Sequence, residues 1–432
     1  MPHGKGYKTI ANQSKARKTP TAATKKKEVA QSTPTPFPAL QSLPLELQQS
    51  LLDIFSYTFP HLLNPSATQD ALKPLLQKVK AHLYDRDFAA AFGNKEYLAA
   101  YAARWSPSRA LGYIGTLKEA IEHLQIGKPD EDELSSKANN VQIICLGGGA
   151  GAEIVSLAGV HTLVHNEERQ NLTIEDAQNQ SFQTDHELHK NDDTTTLPTP
   201  SSTASTRLDF DITLVDIADW SGISTSLHTA LTTPPPLSPY ASEAAKAAAK
   251  SLMSPSRFHA RFIQQDVIAP ECSVASLISS SSSSTPASIR PQTLVTLMFT
   301  LNELYTTSVP RTQHLLLSLT IALHPGALLL VVDSPGSYST VTVNSSEKRY
   351  PMLWLLEHTL FTTASTTLSK LNEEEGIDKG MDKLRRELEN EPKPCWERVV
   401  SEESKWFRLP DGLSYPIELE NMRFQMHLYR RL

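Results

Sequence analysis

The chain has 432 residues, 39% of them hydrophobic, and a formal net charge of −6. That composition allows a large buried core and one to three domains, and it excludes a wholly unfolded protein. Cys145, Cys272 and Cys395 are its only cysteines; they lie far apart and odd in number, which excludes a disulfide framework or a CxxC zinc site and points to a reducing compartment.

The first element in chain order is a charge pattern. Lys5, Lys8, Lys15, Arg17, Lys18, Lys25, Lys26 and Lys27 stand against one acid, Glu28, within the first 30 residues. Residues 1–38 are therefore expected to be a disordered basic arm suited to nucleic acid or to nuclear import. They lack the apolar core of a signal peptide. Residues 39–126 form a helical region. "PLELQQSLLDIFSYTF" sets Leu47, Leu51, Ile54 and Phe55 on one face, and "ALKPLLQKVKAHLY" repeats the spacing. "EYLAAYAARWSPSRALGYIGTLKEAIEHL" predicts two helices broken at Pro107, because proline has no amide hydrogen to continue the ladder. A charged linker over 127–140 follows.

Residues 141–432 alternate short apolar runs with helical periodicity. "VQIICLG", "FDITLVDI", "ARFIQQDVI", "TLVTLMF" and "ALLLVVD" read as strands, and "QHLLLSLTIAL" and "MLWLLEHTLF" as helices. Alternation of this kind predicts an α/β fold with a mostly parallel sheet. "CWERVV" and "RFQMHLYRRL", with no helix between them, predict a terminal antiparallel strand pair. The apolar stretch "HLLLSLTIALHPGALLLVVD" is cut by His324-Pro325-Gly326, so it reads as helix, turn and strand, not as a membrane span. Three low-complexity segments, at about 162–206, 232–256 and 273–290, are expected to be unordered surface insertions.

The stretch "IICLGGGAGAE" carries the chemistry. A strand that runs into Gly147, Gly148, Gly149 and Gly151 and then opens a helix is a layout for holding a polar cofactor against backbone N–H groups. Gly147 is expected to allow the tight turn, Gly149 to let a ligand approach, and Gly151 to keep the turn compact. Two fingerprints fit: G-x-G-x-x-A for a nicotinamide dinucleotide and G-x-G-x-G for S-adenosylmethionine. Both call for a carboxylate at the end of the second strand to grip ribose hydroxyls, and Asp216 in "TLVDI" stands there. It lies 69 residues after Gly147, where about 20 is ordinary; removing the acidic insertion restores the register. Asp266 closes the third strand, where an acid can accept from an adenine amino group. Phe299, Asn302 and Glu303 cluster after the fourth. That set, and a closing antiparallel pair in place of a separate substrate domain, favour methyl transfer over hydride transfer.

"ICLGGGAGAE", "VDIADW", "FIQQDV", "TLMFTLNELYT", "LLLVVDSPGSYS", "YAARWSPSRAL" and "FRLPDGLSYPIELENMRFQMHLYRRL" resemble the fungal 25S ribosomal RNA uridine-N3 methyltransferases, over about residues 40–160 and 208–432. The resemblance implies a class I Rossmann-like fold, S-adenosylmethionine as cofactor, and ribosomal RNA of the large subunit as partner, in the nucleolus. It implies further that Gly147, Gly149 and Gly151 line the methionine and ribose part, that Asp216 holds the ribose and Asp266 the adenine, and that Phe299 and Asn302 border the methyl group. Cys145 departs from the pattern, since an acid is common at that position; Glu153 or the N-terminal helices are the expected substitutes. Glu303 and Asp333 are candidates for the base that uridine N3 requires. Phe299, Tyr305 and Tyr338 are candidates to stack on a flipped uridine. Arg104 and Arg109 are expected at the pocket mouth. Trp105, Trp220, Trp354, Trp396 and Trp406 read as packing residues. A monomer without metal or membrane attachment is expected. A nicotinamide oxidoreductase, a methyltransferase on another acceptor and a catalytically silent assembly factor remain as alternatives.

Overall fold

The computed structural model describes residues 43–64, 71–124, 139–167, 208–279, 291–343, 346–368 and 393–432. The five predicted apolar runs become strands β1 (Asn139–Leu146), β2 (Leu208–Asp216), β3 (Phe258–Gln264), β4 (Gln292–Met298) and β5 (Leu328–Asp333). They pair in parallel throughout. The central strands are buried along most of their length because helices cover both faces. A hairpin of β6 (Tyr338–Val343) and β7 (Ser346–Pro351) follows, then β8 (Trp396–Phe407) and β9 (Met422–Arg431). The hairpin is not foreseen from sequence; "YSTVTVNSSEKRY" is too polar to stand out as paired strands.

The main sheet has the order β3-β2-β1-β4-β5-β9-β8. Strand β9 runs antiparallel to both β5 and β8, as expected of the terminal pair. This is a doubly wound, Rossmann-like arrangement. Its order reverses between β1 and β4, so a crevice opens there at the carboxyl ends of the strands. One face carries Leu51, Leu111, Ile114, Val155 and Leu227, from helices Leu45–Thr58, Lys95–Glu122, 152–167 and Ser221–Thr232. The other carries Leu301, Leu316, Leu319 and Leu356, from helices Leu301–Thr307, Val309–Ala322 and Met352–Glu357. The helical region and the sheet belong to one compact unit, Leu43–Leu432.

Three expectations need correction. Pro107 does not break its helix, which runs from Lys95 to Glu122 as one element. Proline leaves the carbonyl four residues earlier, Ala103, without its helical donor, and the Tyr415 hydroxyl donates to that carbonyl at 2.8 Å. Segment 232–256 is not an unordered insertion: Met253 is buried and its amide donates to the Leu231 carbonyl at 2.9 Å. The segment from 273 opens with a helix, Val274–Ser279, whose Val274 and Leu277 are buried. The basic arm, most of the acidic insertion and the serine run lie outside the described residues. No helix among the described residues is long and apolar enough to cross a membrane.

Candidate active site

At the β1–β4 switch the glycine turn folds onto the end of β2. The Gly147 amide donates to the Val215 carbonyl at 2.8 Å, and the Gly149 amide to Asp216 Oδ2 at 3.3 Å. The other oxygen of Asp216 accepts from the Ala218 amide at 3.2 Å. The glycines and Asp216, far apart in sequence, are therefore neighbours in space. Asp219, not Asp216, takes the amide of Ser221 at the start of the next helix, at 3.2 Å.

The glycines divide their duties differently from the expectation. Gly147 has φ +83°, and a Cβ there would stand 2.2 Å from Thr300 Oγ1; it lines the cavity described below. Gly149 and Gly151 do not line it. A Cβ on Gly149 would meet the Trp220 ring at 2.2 Å, and one on Gly151 would meet Leu227 at 2.1 Å. Gly149 is glycine so that Trp220 can pack against the loop, while Gly151 must be glycine for its φ of +86° as well as for Leu227, and Trp220 in turn walls the cavity.

A cavity of about 600 Å³ lies under the turn. The sheet and the loops at its carboxyl edge supply Gly147, Asp216, Asp266, Phe299, Asn302, Glu303 and Asp333. The long helix roofs it with Tyr101, Trp105, Arg109 and Tyr113, four residues apart and so on one face. That stripe is legible in the sequence, although only Arg109 stands out from it on residue type. Phe88, Phe92 and Arg86 close the rim. Phe299 and Arg86 are the non-glycine residues with positive φ among those described, at +58° and +57°, and both line this cavity. Strain of that kind concentrates at functional sites.

Arg109 holds the roof together. Its Nη1 donates to the Tyr101 hydroxyl at 2.6 Å, and its guanidinium rests 5.6 Å from the Tyr101 ring and 5.4 Å from the Phe299 ring. The neighbouring Tyr101, Tyr113 and Glu153 push its pKa upward despite burial, so it stays charged. Glu153 is buried, and burial lifts its carboxyl to about 7. A Cβ on Gly148 would lie 2.7 Å from Cys145 Cβ and 3.4 Å from the Glu153 carboxyl carbon. Glu153 thus brings a carboxyl beside the very position where Cys145 lacks one. The Cys145 thiol itself is buried and its pKa is raised, chiefly by that burial.

Two further carboxylates behave differently from one another. Asp333, at the end of β5, accepts from the amides of Asn302 at 3.1 Å and Ser334 at 2.7 Å, which fixes it as an anchor for the helix that carries Asn302. The Glu303 carboxyl makes no hydrogen bond among the described residues. Solvent reaches it through the cleft, but the cleft walls desolvate it and raise it to about 7, with Arg109 pulling the other way. Asp266 accepts from the Ile268 amide at 3.1 Å and lines the cavity beyond the end of β3.

Several residues lie elsewhere than expected. Arg104 points away from the cleft and pairs with Glu420 in the C-terminal segment. Tyr305 is buried in the second core layer and has no access to the cavity. Tyr338 is 52% exposed on the hairpin, outside the cavity, with Arg349 5.7 Å from its ring centroid. Trp105 and Trp220 line the cavity rather than packing alone, and Trp354 and Trp406 are exposed.

The residues present suit a nucleoside cofactor. Gly147 brings bare backbone to the cavity wall, since its φ of +83° and the Thr300 side chain beside it leave no room for a side chain of its own, and the Asp216 carboxylate, held by backbone amides, lines the same cavity. Asn302 Oδ1 is buried at the wall with no partner, an acceptor awaiting a donor from a ligand. Among the described residues no group of three or more His, Cys, Asp or Glu can hold a metal ion.

Residues 58–430 match the model of the family described as "Putative SAM-dependent methyltransferase", SAM being S-adenosylmethionine. The chain belongs to that family. It is a methyltransferase of the S-adenosylmethionine-dependent class, with that molecule as its cofactor. A relative from Saccharomyces cerevisiae, the 25S rRNA (uridine(2843)-N(3))-methyltransferase, is 30% identical over 390 residues, 88% of this chain and 85% of its own. Similar solved structures include an S-adenosylmethionine-dependent methyltransferase from Methanosarcina mazei, 9% identical over 69% of this chain and 94% of that one, TM-score 0.30. Another is an O-methyltransferase family protein from Burkholderia thailandensis, 10% identical over 84% and 72%, TM-score 0.31. The sheet order, not these distant likenesses, defines the fold.

Proposed function

We propose that this chain methylates N3 of a uridine in large-subunit ribosomal RNA, during ribosome assembly in the nucleolus. The likeness to the yeast 25S rRNA enzyme over most of both chains supports the substrate, and the basic arm Lys5–Lys27 supports a nucleic-acid partner. The observation that carries the chemistry is Glu303: an unbonded carboxyl at the cavity wall, lifted to about 7. Uridine N3 holds its proton at neutral pH, and a base whose pKa lies near the working pH removes it most effectively.

In this reading Gly147 and Asp216 hold the sugar end of the cofactor, Asp266 the adenine, and Glu153 with Arg109 the amino-acid end. When bound, the cofactor supplies an activated methyl group on a sulfonium sulfur. The protein's own task is to align acceptor and donor and to exclude water, and such positioning is worth several kcal/mol. N3 lies on the pairing edge, so the uridine must leave its helix to enter the cleft. Phe299, held at positive φ and backed by Tyr113 with ring centroids 6.2 Å apart, offers a rigid face for it. Glu303 then takes the N3 proton, and Asn302 borders the transfer.

Incubation of the purified chain with isotopically labelled S-adenosylmethionine and large-subunit ribosomal RNA, followed by digestion and mass spectrometry of the nucleosides, tests the reading. Labelled N3-methyluridine is the expected product. Label in another nucleoside, or in none, would contradict it.

A further inference from the structure

Beyond the end of β5, strand β9 continues with β8 alone. Asp333 closes β5 opposite Gln425, while Arg423 pairs with Trp406 two residues farther out. That pair stands about 7 Å past the edge on which the cleft opens, at ~3.3 Å per residue. The neighbouring pair, Phe407 and Met422, faces the long helix at Gly112. Alternation therefore turns Trp406 and Arg423 to the opposite side. There the indole is 54% exposed, with the guanidinium of Arg408 at 5.1 Å and that of Arg423 at 5.6 Å from its ring centroid. Arg423 Nε donates to Ser404 Oγ at 2.9 Å, which fixes its fork. Neither arginine has an ion-pair partner among the described residues, whereas the adjacent Lys405 is neutralised by Glu119 at 2.7 Å. Of the three acids of β8, Glu397 pairs with Arg430, and Glu402 and Glu403 come before or within the register shift that separates Glu402 from Lys405.

Two like charges gathered on one exposed indole repel each other and gain nothing from core packing. A partner that brings both negative charge and a flat ring relieves the repulsion and covers the apolar surface at once. We propose that Trp406, Arg408 and Arg423 form a platform for single-stranded RNA flanking the nucleotide in the cleft. The indole stacks on a base, and the guanidinium groups bind the phosphates on either side. This rests on the ribosomal RNA reading above and extends it to a second binding surface.

Fluorescence anisotropy of the full chain with a labelled uridine-containing single-stranded RNA tests the platform, with S-adenosylhomocysteine titrated in parallel. Trp406→Ala should weaken RNA binding roughly tenfold, and Trp406→Phe, which keeps a stacking face, should recover most of that affinity. Arg408→Ala with Arg423→Ala should flatten the salt dependence by about 0.7 in log–log slope for each phosphate no longer neutralised. Uptake of S-adenosylhomocysteine should not change in any of them. Unchanged RNA affinity in the tryptophan and arginine variants, with wild type binding and methylating RNA, would overturn the platform and leave the ribosomal RNA reading standing. A wild-type chain that takes up S-adenosylhomocysteine but neither binds nor methylates RNA would overturn both.

Discussion

Glu303, in the helix that follows β4, and Asp333, at the end of β5, are both acids of the cavity wall, yet their surroundings assign them different work. Asp333 is also raised by burial, but two backbone amides and the Ser337 hydroxyl hold its carboxylate in place; the Glu303 carboxyl makes no hydrogen bond among the described residues and is raised to about 7, principally by desolvation. A base of that pKa is inactive when protonated, so the methylation rate should rise with pH through about 7 and then level. Glu303→Gln should abolish that rise and lower kcat by about 10²-fold or more, measured by label transfer from pH 5.5 to 9; a variant with the wild-type profile would return the role to another group. Gly149 makes a different residue-scale prediction. A methyl group there would enter the Trp220 ring at 2.2 Å, so Gly149→Ala should destabilise by about 1–3 kcal/mol, seen as a lower urea midpoint, because the cost falls on packing and not on ligand binding.

The helix Lys95–Glu122 shows how one element serves both architecture and site. On one side Ser106 Oγ donates to the Ala150 carbonyl of the glycine turn at 2.7 Å, Ser108 Oγ accepts the Glu420 amide at 3.0 Å, and Arg104 binds Glu420. On the other, Tyr101, Trp105, Arg109 and Tyr113 roof the cavity. Tyr415 is the seam, because it satisfies the carbonyl that Pro107 frees. Tyr415→Phe should cost about 1–3 kcal/mol, the penalty for an unsatisfied buried acceptor. In a Pro107→Ala background, where the helix can supply its own donor, the same change should cost less. Chemical denaturation of the four proteins of that cycle measures the difference, and equal costs in both backgrounds would refute the account.

The same element marks what the sequence made legible. Strands β1 to β5 could be read because short, mostly apolar runs alternate with helical periodicity, and the closing pair because no helix separates its two runs. Asp216 was legible because its place follows from the strand it ends. Pro107 misled, since its tolerance depends on Tyr415, more than 300 residues away. Arg104, Tyr305 and Tyr338 misled for a related reason: residue type gives a capability, while helix phase and the partner across the fold give a direction. Gly149 and Gly151 have glycine's usual signature, but only the positions of Trp220 and Leu227 tell packing from ligand approach.

At the scale of the molecule, the cleft, the roof helix and the C-terminal strands converge on the carboxyl end of one sheet. The cavity, Glu303 at its wall and the arginine-flanked Trp406 all lie toward that end, as the proposed RNA path requires. This arrangement depends on the cavity under the glycine turn being the cofactor site. Calorimetric titration of S-adenosylhomocysteine into wild type and Asp216→Ala tests that most directly. The account predicts one binding event in the wild type, and at least about tenfold weaker binding in the variant from the loss of charge-assisted bonds. Equal affinity in the two proteins would place the cofactor elsewhere and contradict it.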